Sequence, residues 1–118
     1  MGAHASHPMA GTVVIAASKS HEACVSFGHR LVQNGFVASA TIIPKATSIR
    51  GTDKGTEEFE EHIVLMETDS AAVPNVVEFL KSNPLYEITK IVAVPISGGS
   101  WDYLNWMSEV TSPKKNQR

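Results

Sequence analysis

Apolar and polar positions follow two different periods in the first third of the chain. Thr12–Ala17 is a short, uninterrupted apolar run, which is typical of a strand buried on both faces. Ser18 is the expected N-cap of a helix that follows, and Gly35 is expected to end it in the left-handed conformation. The apolar positions spaced along one face of this helix are Cys24, Phe27, Gly28 and Leu31.

A long hairpin is predicted next. Phe36–Arg50 is rich in strand-forming residues, Gly51–Gly55 supplies turn residues, and Glu57–Thr68 returns as a second strand. Pro44 interrupts the first strand. Because proline cannot donate a backbone hydrogen bond, it predicts an edge position or a bulge where the strand bends. A bent hairpin of this length is suited to reach a neighbouring subunit.

The last part of the chain predicts a second helix and then a strand, a turn and a third helix. Pro74 is expected in the first turn of the second helix, where its missing N–H costs little. The buried face of that helix is marked by Val73, Val76, Val77 and Leu80. Tyr86–Val110 begins with a β-branched run, breaks at Gly98-Gly99 and continues with helical spacing. Every Trp and Tyr of the chain lies in this segment, which indicates packing between layers or between subunits.

The predicted order of elements is β-α-β-β-α-β followed by a short helix. This order defines an α+β fold, a ferredoxin-like βαββαβ sandwich with two helices over a four-stranded antiparallel sheet. One sheet face is left uncovered, and the apolar strand Ile91–Ile96 contributes to it, so we expect oligomerisation to cover this face. The predicted domain spans residues 12–111, between a flexible leader (residues 1–11) and a disordered basic tail (residues 112–118).

The composition argues against several classes of protein. The chain has 118 residues, a net charge of −2 and a pI near 6.2, which argues against a nucleic-acid partner. No apolar run approaches the roughly 20 residues of a membrane span. A single cysteine, Cys24, excludes an internal disulfide and fits a cytoplasmic location. Its place on an apolar helix face indicates a packed side chain rather than a nucleophile.

The leader carries two mutually exclusive chemical patterns. Its first six residues fit the loose N-myristoylation pattern with Gly2 as acceptor, although a single acyl chain gives only reversible membrane binding and no stable insertion. Alternatively, removal of Met1 would leave Gly2-Ala3-His4, whose amine, amide nitrogens and imidazole suit Cu(II) or Ni(II). Acylation would block that amine. A third interpretation is an inert leader or an expression remnant.

The second strand of the hairpin offers a further candidate metal site. The acidic residues that precede His62 there are Glu57, Glu58, Glu60 and Glu61. They would bind a divalent cation only if they converge in space. The other histidines of the predicted domain, His21 and His29, lie too far apart along the first helix to share a metal ion.

Four segments carry a family resemblance. They are Ala40–Ile49, the strand Glu61–Thr68, the pair Tyr86-Glu87 and the segment that begins at Ile91. The last has a strand ending in Pro-Ile, a glycine turn and then Tyr-Leu-x-Trp. Its matching residues are Pro95, Ile96, Gly99, Tyr103, Leu104 and Trp106. With these segments the chain resembles the CutA, or divalent-cation-tolerance, family over Val13–Thr111.

The resemblance implies a compact homotrimer of ferredoxin-like subunits, similar in architecture to the PII signalling trimers. It also implies a non-enzymatic role in tolerance or homeostasis of divalent metals, copper above all, or in signalling. Pro44, Tyr103 and Trp106 are the residues we expect to serve trimer packing. No cofactor is required, and Cu²⁺ or another divalent ion is the metal candidate.

The metal-associated positions that the resemblance implies are mostly replaced in this chain. Ala16 stands at a cysteine position, Ser39 at a second, and Pro84 at a histidine position. Of the implied ligands Glu61 remains, and His62 is a candidate substitute beside it. In the leader, His4 is a candidate on its own.

An alternative function is that of a PII-like small-molecule sensor or scaffold. The ligand would then lie in a cleft between subunits, beside Arg50, Tyr86 and Glu87. An enzyme is disfavoured, because the sequence shows no spacing typical of a nucleophile and its base.

Overall fold

The computed structural model describes residues 10–83 and 87–111, which form one antiparallel sheet and three α-helices. The strands are β1 (Gly11–Ser18), β2 (Ser39–Thr52), β3 (Gly55–Asp69) and β4 (Lys90–Ile96). The helices are α1 (His21–Gln33), α2 (Val73–Lys81) and α3 (Trp101–Thr111). The strand order is β2-β3-β1-β4, with every pair antiparallel. The predicted α+β fold with a four-stranded antiparallel sheet is confirmed. None of the described helices is long and apolar enough to cross a bilayer.

Side-chain alternation gives the sheet two distinct faces. Val14 and Ala16 of β1 share a face with Val64 and Met66 of β3, because these residues are cross-strand partners. All four are buried and pack in one cluster with apolar residues of α1 and α2. Burial of this helix-covered face supplies the main stabilisation of the chain, at about 25 cal/mol per Å² of apolar surface.

Local hydrogen bonds define the two ends of α1. The Ser20 hydroxyl accepts the Ala23 amide at 3.0 Å, so the N-cap is Ser20 and the prediction of Ser18 is wrong. Ser18 remains in β1, where its Oγ accepts the Ser20 amide at 3.1 Å and shapes the turn into the helix. Gly35 has a φ of 74°, as predicted. The predicted buried face is also confirmed and comprises Cys24, Phe27, Gly28 and Leu31.

A bulge bends the hairpin at the predicted proline. Pro44 and Lys45 of β2 lie opposite the single residue His62 of β3, between the pairs formed by Ile43 and Ala46. Lys45 takes a φ of 58°, which is uncommon outside glycine, and its amide donates to His62 Nδ1 at 3.0 Å. The extra residue reverses the alternation of β2. Before the bulge, the odd-numbered side chains of β2 lie on the same side of the sheet as the odd-numbered side chains of β3. After the bulge, the even-numbered side chains of β2 lie on that side.

The other face of the sheet, which we call the open face, is covered by α3 at one end. In β1 it comprises Gly11, Val13, Ile15 and Ala17. Met107 packs so closely on Gly11 that a Cβ at this glycine would lie 2.5 Å from Met107 Cε. The Asp69 amide donates to Thr111 Oγ1 at 3.0 Å, and Ser108 Oγ donates to the Asp69 carboxylate at 3.1 Å. These contacts fix α3 over the end of β1 and β3.

The aromatic side chains of α3 lie outside the core of the single chain. Trp106 is 44% exposed within one chain, and its expected part in trimer packing stays a prediction. Tyr103 donates a hydrogen bond to the Glu67 carboxylate, which also accepts from Ser39 Oγ at 3.0 Å. Burial, together with the Glu67 carboxylate, raises the pKa of Tyr103. The buried residues of α3 are instead Leu104, Met107 and Thr111.

The middle of the open face is apolar and remains uncovered by the described residues of one chain. Val92 and Val94 of β4 are 46% and 45% exposed. Their cross-strand partners in β1, Ile15 and Val13, are partly exposed beside them. An apolar sheet face of this kind is unusual on a monomer and typical of an interaction surface.

Met107→Ala is expected to lower the free energy of unfolding by about 2–4 kcal/mol, because it removes a fully buried side chain and leaves a cavity. Urea unfolding at one fixed protein concentration measures this change. Asn105→Ala on the exposed side of the same helix is the control, and it should change stability by less than about 0.5 kcal/mol. Equal losses in the two variants would show that α3 does not pack through Met107.

Candidate functional site

A cleft opens on the open face where the hairpin leaves the sheet. Its volume is about 430 Å³, which falls in the range of roughly 300–1,000 Å³ typical of small-molecule sites. The part of β2 beyond the bulge, the facing part of β3 and the start of β4 form its walls. We call it the hairpin cleft, and its lining residues are Ser48, Ile49, Arg50, Phe59, Glu61, Thr89 and Lys90.

Glu61 is the buried charge of the hairpin cleft. Its side chain is 1% exposed. Ser48 Oγ donates to Oε2 at 2.6 Å, and Thr89 Oγ1 donates to Oε1 at 2.7 Å. Lys90 Nζ lies 4.0 Å from Oε2, which is an ion pair without a direct hydrogen bond. Both carboxylate oxygens therefore already have hydrogen-bond donors from the chain itself.

The environment of Glu61 favours its ionised form. Burial is the largest influence and by itself raises the pKa of Glu61. The hydrogen bonds from Ser48 and Thr89, with the charges of Lys90 and Arg50, outweigh that effect, and the pKa of Glu61 lies below its ordinary value. Glu61 is thus a carboxylate whose negative charge is satisfied within the chain.

Two cations lie over the Phe59 ring of the cleft. The Arg50 guanidinium carbon lies 4.7 Å from the centre of the Phe59 ring, and Lys19 Nζ lies 5.0 Å from the same centre. Such cation–π contacts hold the charged groups beside the ring without neutralising them. Positive charge therefore lies next to the Phe59 ring.

His62 is committed to the bulge. Because its Nδ1 accepts the Lys45 amide, the neutral ring carries its proton on Nε2. Ligation of a metal through Nε2 would require this proton to be lost. The His62 ring lies 5.3 Å from that of His21. This hydrogen bond favours a structural role for His62 over the predicted role as a metal ligand.

Cys24 lies below this region and is chemically quiet. It is 1% exposed, and its Sγ donates to the His62 carbonyl at 3.6 Å. Burial is the largest cause that raises the pKa of the Cys24 thiol, so the thiolate is disfavoured. The predicted packing role of Cys24 is in agreement with this environment.

The carboxylates of β3 do not converge. Strand alternation places Glu57 and Glu61 on the open face, and Glu58 and Glu60 on the opposite side. Among residues 10–83 and 87–111, no group of three or more histidine, cysteine, aspartate or glutamate side chains could hold a metal ion. The acidic run that suggested a cation site is therefore divided by the strand geometry.

The structure brings together two of the predicted site residues, Arg50 and Glu61, in one cleft. Glu87 is exposed and does not line it. His4 and Tyr86 lie outside the described residues. Sequence reasoning missed the side chains that complete the cleft, Ser48, Phe59, Thr89 and Lys90. The alternation of side chains along the two hairpin strands could have indicated these residues. Using it requires the position of the bulge, which reverses the alternation in β2.

A family model described as "CutA1 divalent ion tolerance protein" matches residues 12–110. The chain belongs to the CutA1 family. A CutA protein of Mus musculus is 33% identical over 86 residues, which is 73% of this chain and 49% of the relative. The chain thus spans about half the length of the mammalian relatives it matches. The divalent-cation tolerance protein CutA of Thermus thermophilus is 32% identical over 84% of this chain and 96% of its own length.

Solved structures of the family share the fold. The CutA1 structure from Thermus thermophilus has a TM-score of 0.74 at 30% identity, and covers 86% of this chain and 99% of its own. The CutA1 structure from Oryza sativa has a TM-score of 0.78 at 22% identity, and covers 86% and 94%. At this lower identity the likeness concerns the fold.

Glu61→Gln is expected to lower the free energy of unfolding at neutral pH by about 1–3 kcal/mol, because an amide cannot accept both hydroxyl donors as the carboxylate does. The folded-state pKa of Glu61 lies below the ordinary value of 4.5. Its contribution is therefore fully present above that pH and is lost as the pH falls through the lower folded value. Urea titrations over this acid range should show a flatter pH dependence for the variant.

Glu60→Gln is the matched control, since Glu60 is the exposed neighbour on the opposite side of β3. It should leave both the stability and its pH dependence nearly unchanged. Parallel pH curves for wild type and Glu61→Gln would contradict the assignment of a stabilising, ionised Glu61.

Proposed function

We propose that this chain forms a non-enzymatic, PII-like homotrimer that contributes to divalent-cation tolerance, with copper as the leading ion. The observation that carries the proposal is the family match over residues 12–110. The relative from Thermus thermophilus bears the name divalent-cation tolerance protein and matches over nearly its whole length. A non-enzymatic role is supported by Cys24, the chain's single thiol, which is buried and has a raised pKa.

The trimer is supported by the shape and chemistry of the open face. The antiparallel order β2-β3-β1-β4, with α1 and α2 on one face, supports the ferredoxin-like assignment. Val92 and Val94 leave an apolar strip on the other face, and Trp106 and Tyr103 border the open face from α3. A second copy of the same chain is the natural cover for such a surface.

The metal-related role does not require a preformed ligand set in the described fold. Each carboxylate oxygen of Glu61 already accepts a hydroxyl hydrogen bond, and His62 holds its proton on Nε2. The remaining candidate from the sequence is the leader, where His4 follows Gly2 and Ala3. We therefore propose that Cu(II) affinity resides mainly in the leader.

Val92→Asp is expected to convert the trimer into smaller species, because it places a charge in the middle of an apolar contact. Light scattering should give about three times 12.7 kDa for the wild type and a lower mass for the variant. A stable monomer of the wild type would contradict the proposed assembly.

Val32→Asp is the control for this experiment. Val32 is 41% exposed, close to Val92, but it lies on α1 on the helix-covered side of the sheet. The mass of this variant should equal that of the wild type. If both substitutions dissociate the protein equally, the open face is not the specific contact.

Deletion of residues 1–10 is expected to remove most of the Cu(II) binding seen by calorimetry, and His4→Ala in the full chain should weaken it comparably. His29→Ala, which removes an exposed imidazole from α1, is the control and should have little effect. Undiminished binding by the shortened chain would move the site to the folded core or to the contacts between subunits.

A further inference from the structure

The hairpin cleft has an excess of positive charge. The cationic residues of its lining are Arg50 and Lys90, and Lys19 lies next to it with Nζ over the Phe59 ring. Two carboxylates oppose them: Glu61, and Glu57 directly across from Arg50 in the hairpin. Three positive charges against two negative ones leave one in excess. Since the oxygens of Glu61 already accept two hydroxyl hydrogen bonds, the groups that remain free to meet a ligand are mainly cationic.

Within the described part of one chain, the donors of two cations have no hydrogen-bond partner. The Arg50 guanidinium lies over Phe59, and it forms no hydrogen bond or ion pair with the described part of the chain. Lys90 Nζ is 4.0 Å from Glu61, beyond hydrogen-bond distance, and its side chain is 45% exposed. An oxyanion entering the cleft would meet the fork of Arg50 and the ammonium of Lys90.

The apolar part of the cleft is next to these donors. It is the Phe59 ring, which is half-buried and lies beside Arg50. A ligand with an apolar, planar group can bury it against this ring, since pockets of this size combine apolar surface with a few polar anchors. A bare cation would instead meet positive groups, and at Glu61 it would compete with two hydroxyl donors.

We propose that the hairpin cleft is a binding site for a small organic anion, a phosphate or carboxylate attached to a planar apolar group. Arg50 binds the oxyanion in a bidentate manner, Lys90 adds a second charge, and Phe59 packs against the planar group. Glu61 keeps Lys90 and the two hydroxyl-bearing side chains in place. The site is independent of the proposed metal tolerance, because it uses no metal ion.

Amide chemical shifts of the ¹⁵N-labelled full chain test this site. The probes are phenyl phosphate, benzoate, inorganic phosphate and, as the neutral probe, phenol. Phenyl phosphate or benzoate should give saturable shifts at Arg50, Phe59 and Lys90, with a Kd of about 1 mM or tighter. The tighter of these two identifies the headgroup, inorganic phosphate should bind more weakly, and added NaCl should weaken all three anions.

Arg50→Ala should weaken the better anion at least about tenfold, which corresponds to about 1.4 kcal/mol. Arg30→Ala is the matched control, because Arg30 is also exposed and also lies over an aromatic ring, 4.9 Å from the centre of Phe79, outside the cleft. It should leave the Kd unchanged. Arg50→Lys, which keeps the charge but loses the planar fork, should give an intermediate Kd. Light scattering should give the same mass for all variants.

Several outcomes would overturn the site. They are the absence of saturable shifts with any anion, equal weakening by Arg50→Ala and Arg30→Ala, and binding of phenol as tight as that of phenyl phosphate. Selective broadening of the cleft amides by Mn²⁺, stronger than at other carboxylates, would show a cation site instead. None of these results bears on Cu(II) binding by the leader, so the two proposals fail separately.

Discussion

The geometry of the hairpin depends on one extra residue in β2. Because Pro44 and Lys45 together face His62, the alternation of β2 reverses at this point, and Ser48 and Arg50 reach the same side as Glu61. Without the bulge, the odd-numbered side chains of β2 would face the cleft in place of Ser48 and Arg50. The hydrogen bond from the Lys45 amide to His62 Nδ1 stabilises this bulge, and the bulge sets which β2 side chains lie on the open face.

The parts of the fold that the sequence predicted well are those set by local physics. The face of α1, the left-handed Gly35 and the bend at Pro44 follow from spacing, steric freedom and a missing donor. The N-cap was misplaced by two residues, since Ser18 and Ser20 both carry suitable hydroxyls and the end of β1 decides between them. The role of Trp106 stays a prediction, because its ring is exposed in one chain and aromatic content does not distinguish a core side chain from one at a subunit contact.

The candidate site was less predictable than the fold because it depends on cross-strand convergence. Four glutamates in five positions indicate a cation site in sequence, yet a strand separates them onto two sides. Hydrogen bonds from Ser48 and Thr89 then satisfy the buried glutamate from segments far away along the chain. Such partners become visible once register is known. A family named for divalent cations can therefore include a member whose buried carboxylate accepts hydrogen bonds from its own chain on both oxygens.

The reactivity of Cys24 reports how often the hydrophobic core opens between α1 and the sheet. The thiol is buried against the underside of β3, donates to the His62 carbonyl, and has its ionisation suppressed by burial. A thiol reagent can reach it when α1 separates from the sheet, so the rate of labelling measures how often the core exposes itself. With a single cysteine in the sequence, that rate refers to one defined place. The same burial protects the chain from oxidative cross-linking while it stays folded.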